Sequence, residues 1–213
     1  MINGLFNSRV LPCDDSTIGN MGLICDIRAI IDQFMSNTSA QYDEAINICK
    51  DIFMKKMKDY GSSWRILRPS SLTDQIFIKA NRIRTIEDKG TQKIEDDIKG
   101  EFIGILNYCI ISLIQLKLNN YEQLELPVAE AEAQYNFHSK YAKDLMEAKN
   151  HDYGEAWRDM RVSSFTDMLL VRIMRIKQIE DNKGLTIASE GIESNYYDMI
   201  NYCIFALIKI AEA

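Results

Sequence analysis

Lys149, Asp152, Tyr153, Trp157, Arg158 and Arg161 occupy one short block of this sequence, and Lys56, Asp59, Tyr60, Trp64, Arg65 and Arg68 repeat it at the same spacing. An aromatic ring beside paired guanidiniums suits a nucleotide: a base stacks on the ring and the arginine forks hold phosphate oxygens. A second reading competes with this one. Trp64 and Trp157 are the only tryptophans; a repeated tryptophan is often a core anchor, and arginines so placed also serve as surface ion-pair partners.

A second group is acidic. Glu180, Asp181, Glu190, Glu193 and Asp198 fall at the end of one helical stretch and within the next, against Glu87, Asp88, Asp96, Asp97 and Glu101 in the first half. Antiparallel helices would gather such carboxylates, and clustered carboxylates with water suit Mg²⁺. Solvated helix ends explain Glu180 and Asp181 as well, and the helix dipole explains Glu190 and Glu193.

Asp198 resists that explanation, because an acid in an apolar helix is costly unless paired or functional. Asn201 shares its face, three residues on. The first half keeps Asn107 and Tyr108 but has Gly104 in place of Asp198. The halves are therefore not chemically equivalent, and the second is the expected site. Arg82 and Arg175 are expected as phosphate ligands or as partners of these acids. His138 and His151 face Ala45 and Lys58 in the other half, lack ligand-like spacing, and are expected on the surface.

The elements that must position these residues come in two copies. A displacement of about 93 residues superposes Asp59-Tyr60-Gly61 on Asp152-Tyr153-Gly154, Thr73-Asp74 on Thr166-Asp167 and Ile86-Glu87-Asp88 on Ile179-Glu180-Asp181. One inserted residue later the match closes with Asn107-Tyr108-Cys109 on Asn201-Tyr202-Cys203. Each copy reads as three helices: 40–59, 72–88 and 96–118, then 130–152, 165–181 and 190–211. Helical spacing at Ile76, Ala80, Ile83 and Ile86, and at Leu169, Ile173, Ile176 and Ile179, supports the second of each three. Gly61 and Gly154 fall where a left-handed C-cap is expected. Ser71 with Asp74, and Ser164 with Asp167, have the form of a capping box. The third helix of each copy is apolar nearly all round, which belongs in the middle of a bundle.

The expected fold is thus all-α, a helical bundle of two tandem three-helix repeats packed pseudo-symmetrically, since one repeat alone is a marginal core. Residues 35–118 form repeat 1, 119–127 a linker and 128–213 repeat 2. Residues 1–34 are an N-terminal extension, either loosely docked and disordered or preceding a natural start at Met35, where Met35-Ser36-Asn37-Thr38-Ser39 resembles a fresh helix beginning.

A net charge of −6 opposes a nucleic-acid backbone as partner. It does not oppose a small nucleotide with its metal. The five cysteines, Cys13, Cys25, Cys49, Cys109 and Cys203, form no C-x-x-C pair, so disulfides are not expected and a cytoplasmic location is. No apolar run is read as a membrane span and no signal peptide is seen.

The succession Lys-x-x-Asp-Tyr-Gly-x-x-Trp-Arg-x-x-Arg, Ser-Ser-x-Thr-Asp, Arg-Ile-x-x-Ile-Glu and Asn-Tyr-Cys resembles the nucleotide modification associated domain 1 family, across about Gln41 to Ile210. That family, formerly a domain of unknown function, occurs in bacteria and phages, sometimes in tandem, and the resemblance implies a role in nucleotide metabolism or modification. More distantly the chain is similar to all-α nucleoside triphosphate pyrophosphohydrolases of the MazG and dimeric dUTPase type, which hold Mg²⁺ through Glu-x-x-Glu and Glu-x-x-Asp. Here the first motif is reduced to Glu180-Asp181, and Glu190-x-x-Glu193 has Asp198 off register.

Two functions follow. One is a Mg²⁺-dependent hydrolase of (deoxy)nucleoside triphosphates: Glu180, Asp181, Glu190, Glu193 and Asp198 hold the metal, with Asp198 and Glu193 as catalytic residues. Lys149, Arg158, Arg161, Arg175 and Asn201, with Asp152, Tyr153 and Trp157, bind substrate. Asp59, Tyr60, Trp64, Arg65, Arg68, Arg82 and Asn107 are the first-copy counterparts. The other is a non-catalytic nucleotide-binding or scaffold module. The expected partners are a nucleotide or deoxynucleotide and a second copy in a homo-oligomer, with no membrane.

Overall fold

The apolar positions that recur at helical spacing dictate helices, and the helices bury each other. The computed structural model describes residues 16–91, 97–118, 123–187 and 191–213, with side chains from residue 37 onward. Among them are six α-helices: α1 (Ser16–Tyr60), α2 (Pro69–Lys89), α3 (Ile98–Leu118), α4 (Val128–Tyr153), α5 (Val162–Asp181) and α6 (Ile192–Glu212). The chain divides into two units, Met1–Thr38 and Ser39–Ala213. Of the first, the helical backbone from Ser16 is described. The helix expected to begin near Ala40 instead continues without a break through 35–39; the polar residues there are all tolerated inside a helix, so they do not force a start.

Within Ser39–Ala213, α3 and α6 form the centre and pack on one another, α2 lies on α3 and α5 on α6, and α2 also packs on α5. α4 touches both central helices. α3 is long and apolar enough to cross a bilayer, contrary to the sequence expectation, but most of it is buried in the bundle. Its hydropathy comes from having neighbours on several sides: Phe102, Ile105, Leu106, Cys109, Ile110 and Ile114 are all fully buried. Each such side chain contributes about 1.5–3 kcal/mol through burial.

The capping boxes do not form. α2 and α5 start about three residues earlier than expected, with Arg68 and Arg161 as N-caps in extended conformation and no side-chain cap. Pro69 at the first helical position accounts for the early start in the first copy, since its ring pre-sets a helical φ. Each helix is preceded by a 3₁₀ turn that periodicity did not reveal, Ser63–Ile66 and Ala156–Asp159, holding the Trp-Arg pairs. Gly61 and Gly154 both take a φ of 62°, as required where the chain leaves α1 and α4. At Gly154 ψ is −163°, so the backbone extends there instead of closing a left-handed cap.

His138 is buried, not exposed. Its Nδ1 lies 2.8 Å from the Tyr197 hydroxyl, and burial lowers its pKa to about 4. His151 is exposed. Cys49, Cys109 and Cys203 are free and buried; burial pushes the Cys49 thiol up to about 12. Cys13 and the side chain of Cys25 lie outside the described residues.

Candidate functional site

The Trp-Arg blocks are braces more than open ligand forks. Trp64 and Trp157 are both buried, and neither indole N–H has a hydrogen-bond partner among the described residues. Arg65 is 2% exposed. It donates from Nε to the Gln123 carbonyl at 3.0 Å and from Nη1 to the Gln115 side chain. Gln115 donates in return to the carbonyls of Arg65 and Leu67 at 3.0 and 3.1 Å. In the second copy Lys209, the counterpart of Gln115, donates to the Arg158 carbonyl. The Arg158 guanidinium bonds Glu155, Gln41 and Glu212 and lies over the Trp157 ring. Asp59, Arg68, Asp152, Arg161 and Tyr153 are exposed around these blocks.

Among the described residues the acids do not gather. Glu180 accepts a hydrogen bond from Thr73 at 2.9 Å, and Glu87 accepts one from Thr166 at 3.0 Å, so each copy's acid meets the other copy's threonine. Burial raises the pKa of both carboxyls. Asp181 and Glu193 are exposed, and Glu190, like Asp96, lies outside the described residues. No group of three His, Cys, Asp or Glu positioned for a metal exists among the described residues. The four expected Mg²⁺ carboxylates that are described, Glu180, Asp181, Glu193 and Asp198, form no such group.

Asp198 is held by two cations, Lys149 at 2.6 Å and Arg172 at 2.8 Å. The first copy keeps a carboxylate too, one turn earlier: Glu101, where the second copy has Asn195, pairs with Lys79 at 3.0 Å and with Arg82. Arg82 is thus a partner of an acid, whereas Arg175 is exposed. With Arg172, Gln178, Leu185 and Ile187, Arg175 lines a depression of about 840 Å³.

Asn107 and Asn201 tie the copies together. Asn107 donates to the Cys49 carbonyl of its own copy and accepts from Tyr135 of the other, at 3.0 Å each. Asn201 donates to the Ala142 carbonyl at 3.1 Å and accepts from Tyr42 at 2.9 Å.

The first copy also holds a cavity of about 500 Å³. Its apolar wall includes Phe53, Trp64 and Ile111, with Tyr60 at the rim, and Lys56, Lys79, Gly104 and Asn107 supply its polar side. Lys56, exposed, has no ion-pair partner among the described residues; its counterpart Lys149 has Asp198. A β-carbon on Gly104 would come within 2.9 Å of Lys79 Cε, so Lys79 lies directly over the missing side chain. Sequence reasoning found Lys56, Tyr60, Trp64 and Gly104 but missed Lys79, whose only signal was a basic residue, Arg172, at the matching place.

A family model described as nucleotide modification associated domain 1 matches residues 56–116 and again 149–210. No curated protein and no solved structure matches the chain, so the likeness to all-α pyrophosphohydrolases gains no support.

Proposed function

The chain belongs to the nucleotide modification associated domain 1 family, and from that premise we propose that it is a nucleotide-binding module with its site in the first copy. The observation that carries this is the cavity of about 500 Å³ that joins an aromatic and aliphatic wall to Lys56 and Lys79. Trp64 and Phe53 offer apolar surface for a base, and the ammonium groups offer charge for phosphate. This volume falls within the range of small-molecule sites, and few convergent polar groups on an apolar wall are their usual lining.

The pyrophosphohydrolase reading draws no comparable support. Glu180 is engaged by Thr73, Asp198 by Lys149 and Arg172, and Glu193 stands exposed. Hydrolysis at neutral pH needs a positioned general base or a metal-activated water, and these carboxylates converge on no common point.

Trp157→Phe leaves Trp64 as the only tryptophan. Titrating that variant with nucleosides and nucleotides should give saturable quenching of Trp64 emission, with no pyrophosphate released when Mg²⁺ is added. Unchanged emission together with an unshifted melting temperature would overturn the binding reading, and steady pyrophosphate release would restore the enzyme.

A further inference from the structure

We infer that the first copy takes a nucleoside monophosphate, and that the second copy is already occupied by its own side chains. The inference rests on the nucleotide-binding reading above and names the ligand class. In the second copy the Phe205 ring stacks on Trp157, 4.3 Å between centroids and 8° from parallel. Two turns earlier on α6, the Asp198 carboxylate sits between Lys149 and Arg172. The second copy thus carries internally a flat ring on its indole and an anion between two cations.

The first copy has every receiving group: Trp64 for Trp157, Lys56 for Lys149 and Lys79 for Arg172. It lacks both occupants, having Ile111 in place of Phe205 and Gly104 in place of Asp198, and these five residues all line the cavity. Glu101 of the first copy answers Lys79, so what is left to come from outside is a ring for Trp64 and an anion for Lys56. A heterocyclic base joined through its sugar to one phosphate provides both.

The number of anionic groups held in the second copy favours one phosphate over three. Two lysines line the cavity: Lys79 pairs with Glu101 at 3.0 Å, and Lys56 has no ion-pair partner among the described residues. In the second copy the corresponding pair of cations holds a single anionic group, the Asp198 carboxylate, and a phosphate monoester is likewise one anionic group. A triphosphate would need more cations than the two lysines that line this cavity.

Calorimetric titration of the full chain with each deoxynucleoside, its 5′-monophosphate and its 5′-triphosphate tests this. One site per chain is expected, with a monophosphate at least tenfold tighter than its nucleoside and no gain from the triphosphate. Combining Gly104→Asp with Ile111→Phe gives the first copy the occupants that the fold already accommodates in the second, and should weaken monophosphate binding at least tenfold. With Ile111 intact, Gly104→Asp should remove the phosphate's advantage more than its neutral isostere Gly104→Asn. If no nucleoside or nucleotide binds the wild type, the nucleotide-binding reading itself fails. If nucleosides and monophosphates bind alike, if triphosphates bind tenfold tighter, or if two sites titrate, only the present inference is overturned. Should the double variant not fold, Lys56→Met takes its place: loss of the monophosphate's advantage supports the inference, and its retention overturns it.

Discussion

The hydroxyl of Tyr42, in the first copy, donates to the side-chain oxygen of Asn201, in the second, at 2.9 Å, inside the core. The mirror bond runs from Tyr135 to Asn107 at 3.0 Å. Thr73 with Glu180 and Thr166 with Glu87 cross in the same way, as do Lys177 with Asp74 and Arg84 with Asp167 on the surface. Polar specificity between the copies is thus built by exchange: each copy completes the other's hydrogen bonds.

Tyr42→Phe and Tyr135→Phe should each lower unfolding free energy by about 1–3 kcal/mol, because each leaves a buried amide oxygen without its donor. Denaturant melts would check it. A loss confined to one of the pair would contradict the exchange symmetry.

Arg65 and Lys56 should separate stability from binding. Arg65→Ala removes a buried brace and should cost about 2–3 kcal/mol, while Lys56→Ala, at an exposed position, should change stability by no more than about 0.5 kcal/mol yet weaken nucleotide affinity. Paired melting and titration experiments read both; equal effects of the two variants on binding would disprove the division of labour.

Asp198→Asn should act on stability and leave the first-copy cavity unaltered. It strands Lys149 and Arg172 without their carboxylate, although the Lys149 side chain is 55% exposed and solvent screens it. A loss of about 1–2 kcal/mol is expected, with nucleotide affinity unchanged. A lost affinity would return the site to the second copy.

The pH dependence has two opposed parts. His138 is neutral in the fold, its pKa lowered by burial from 6.5 to about 4, so the unfolded chain binds the extra proton first. Its contribution is present above pH 6.5 and fades as pH falls toward 4; His138→Gln should flatten that part of the melting profile. Glu87 and Glu180 run the other way. Their raised folded-state pKa values favour the protonated form, so their contribution is full below the ordinary carboxyl pKa and is lost as pH rises through the raised one. Glu87→Gln with Glu180→Gln, keeping an oxygen for each threonine, should match or exceed wild-type stability at pH 7. A lower melting temperature than wild type there would show that the charges themselves hold the copies together.

Duplication, helical content and the apolar faces were legible in the residue string because they are periodic, and periodicity is a local property of the chain. The inequivalence of Gly104 and Asp198 was legible too, as a mismatch between repeats. The partners were not. Thr73 and Glu180 are 107 positions apart, and Tyr42 and Asn201 are 159 apart; no spacing rule reaches that far. Separation also hid the burial of His138, whose partner Tyr197 lies 59 positions away on another helix.

The sequence by itself therefore determined that there are two copies of one helical scaffold and that they differ. Only tertiary structure decided the meaning of that difference. Packing sets Asp198 between Lys149 and Arg172, and Phe205 on Trp157, so the copy richer in functional-looking side chains satisfies itself. Where α3 has Gly104 and Ile111 instead, the missing carboxylate and ring leave Lys56, Lys79 and Trp64 around an open cavity.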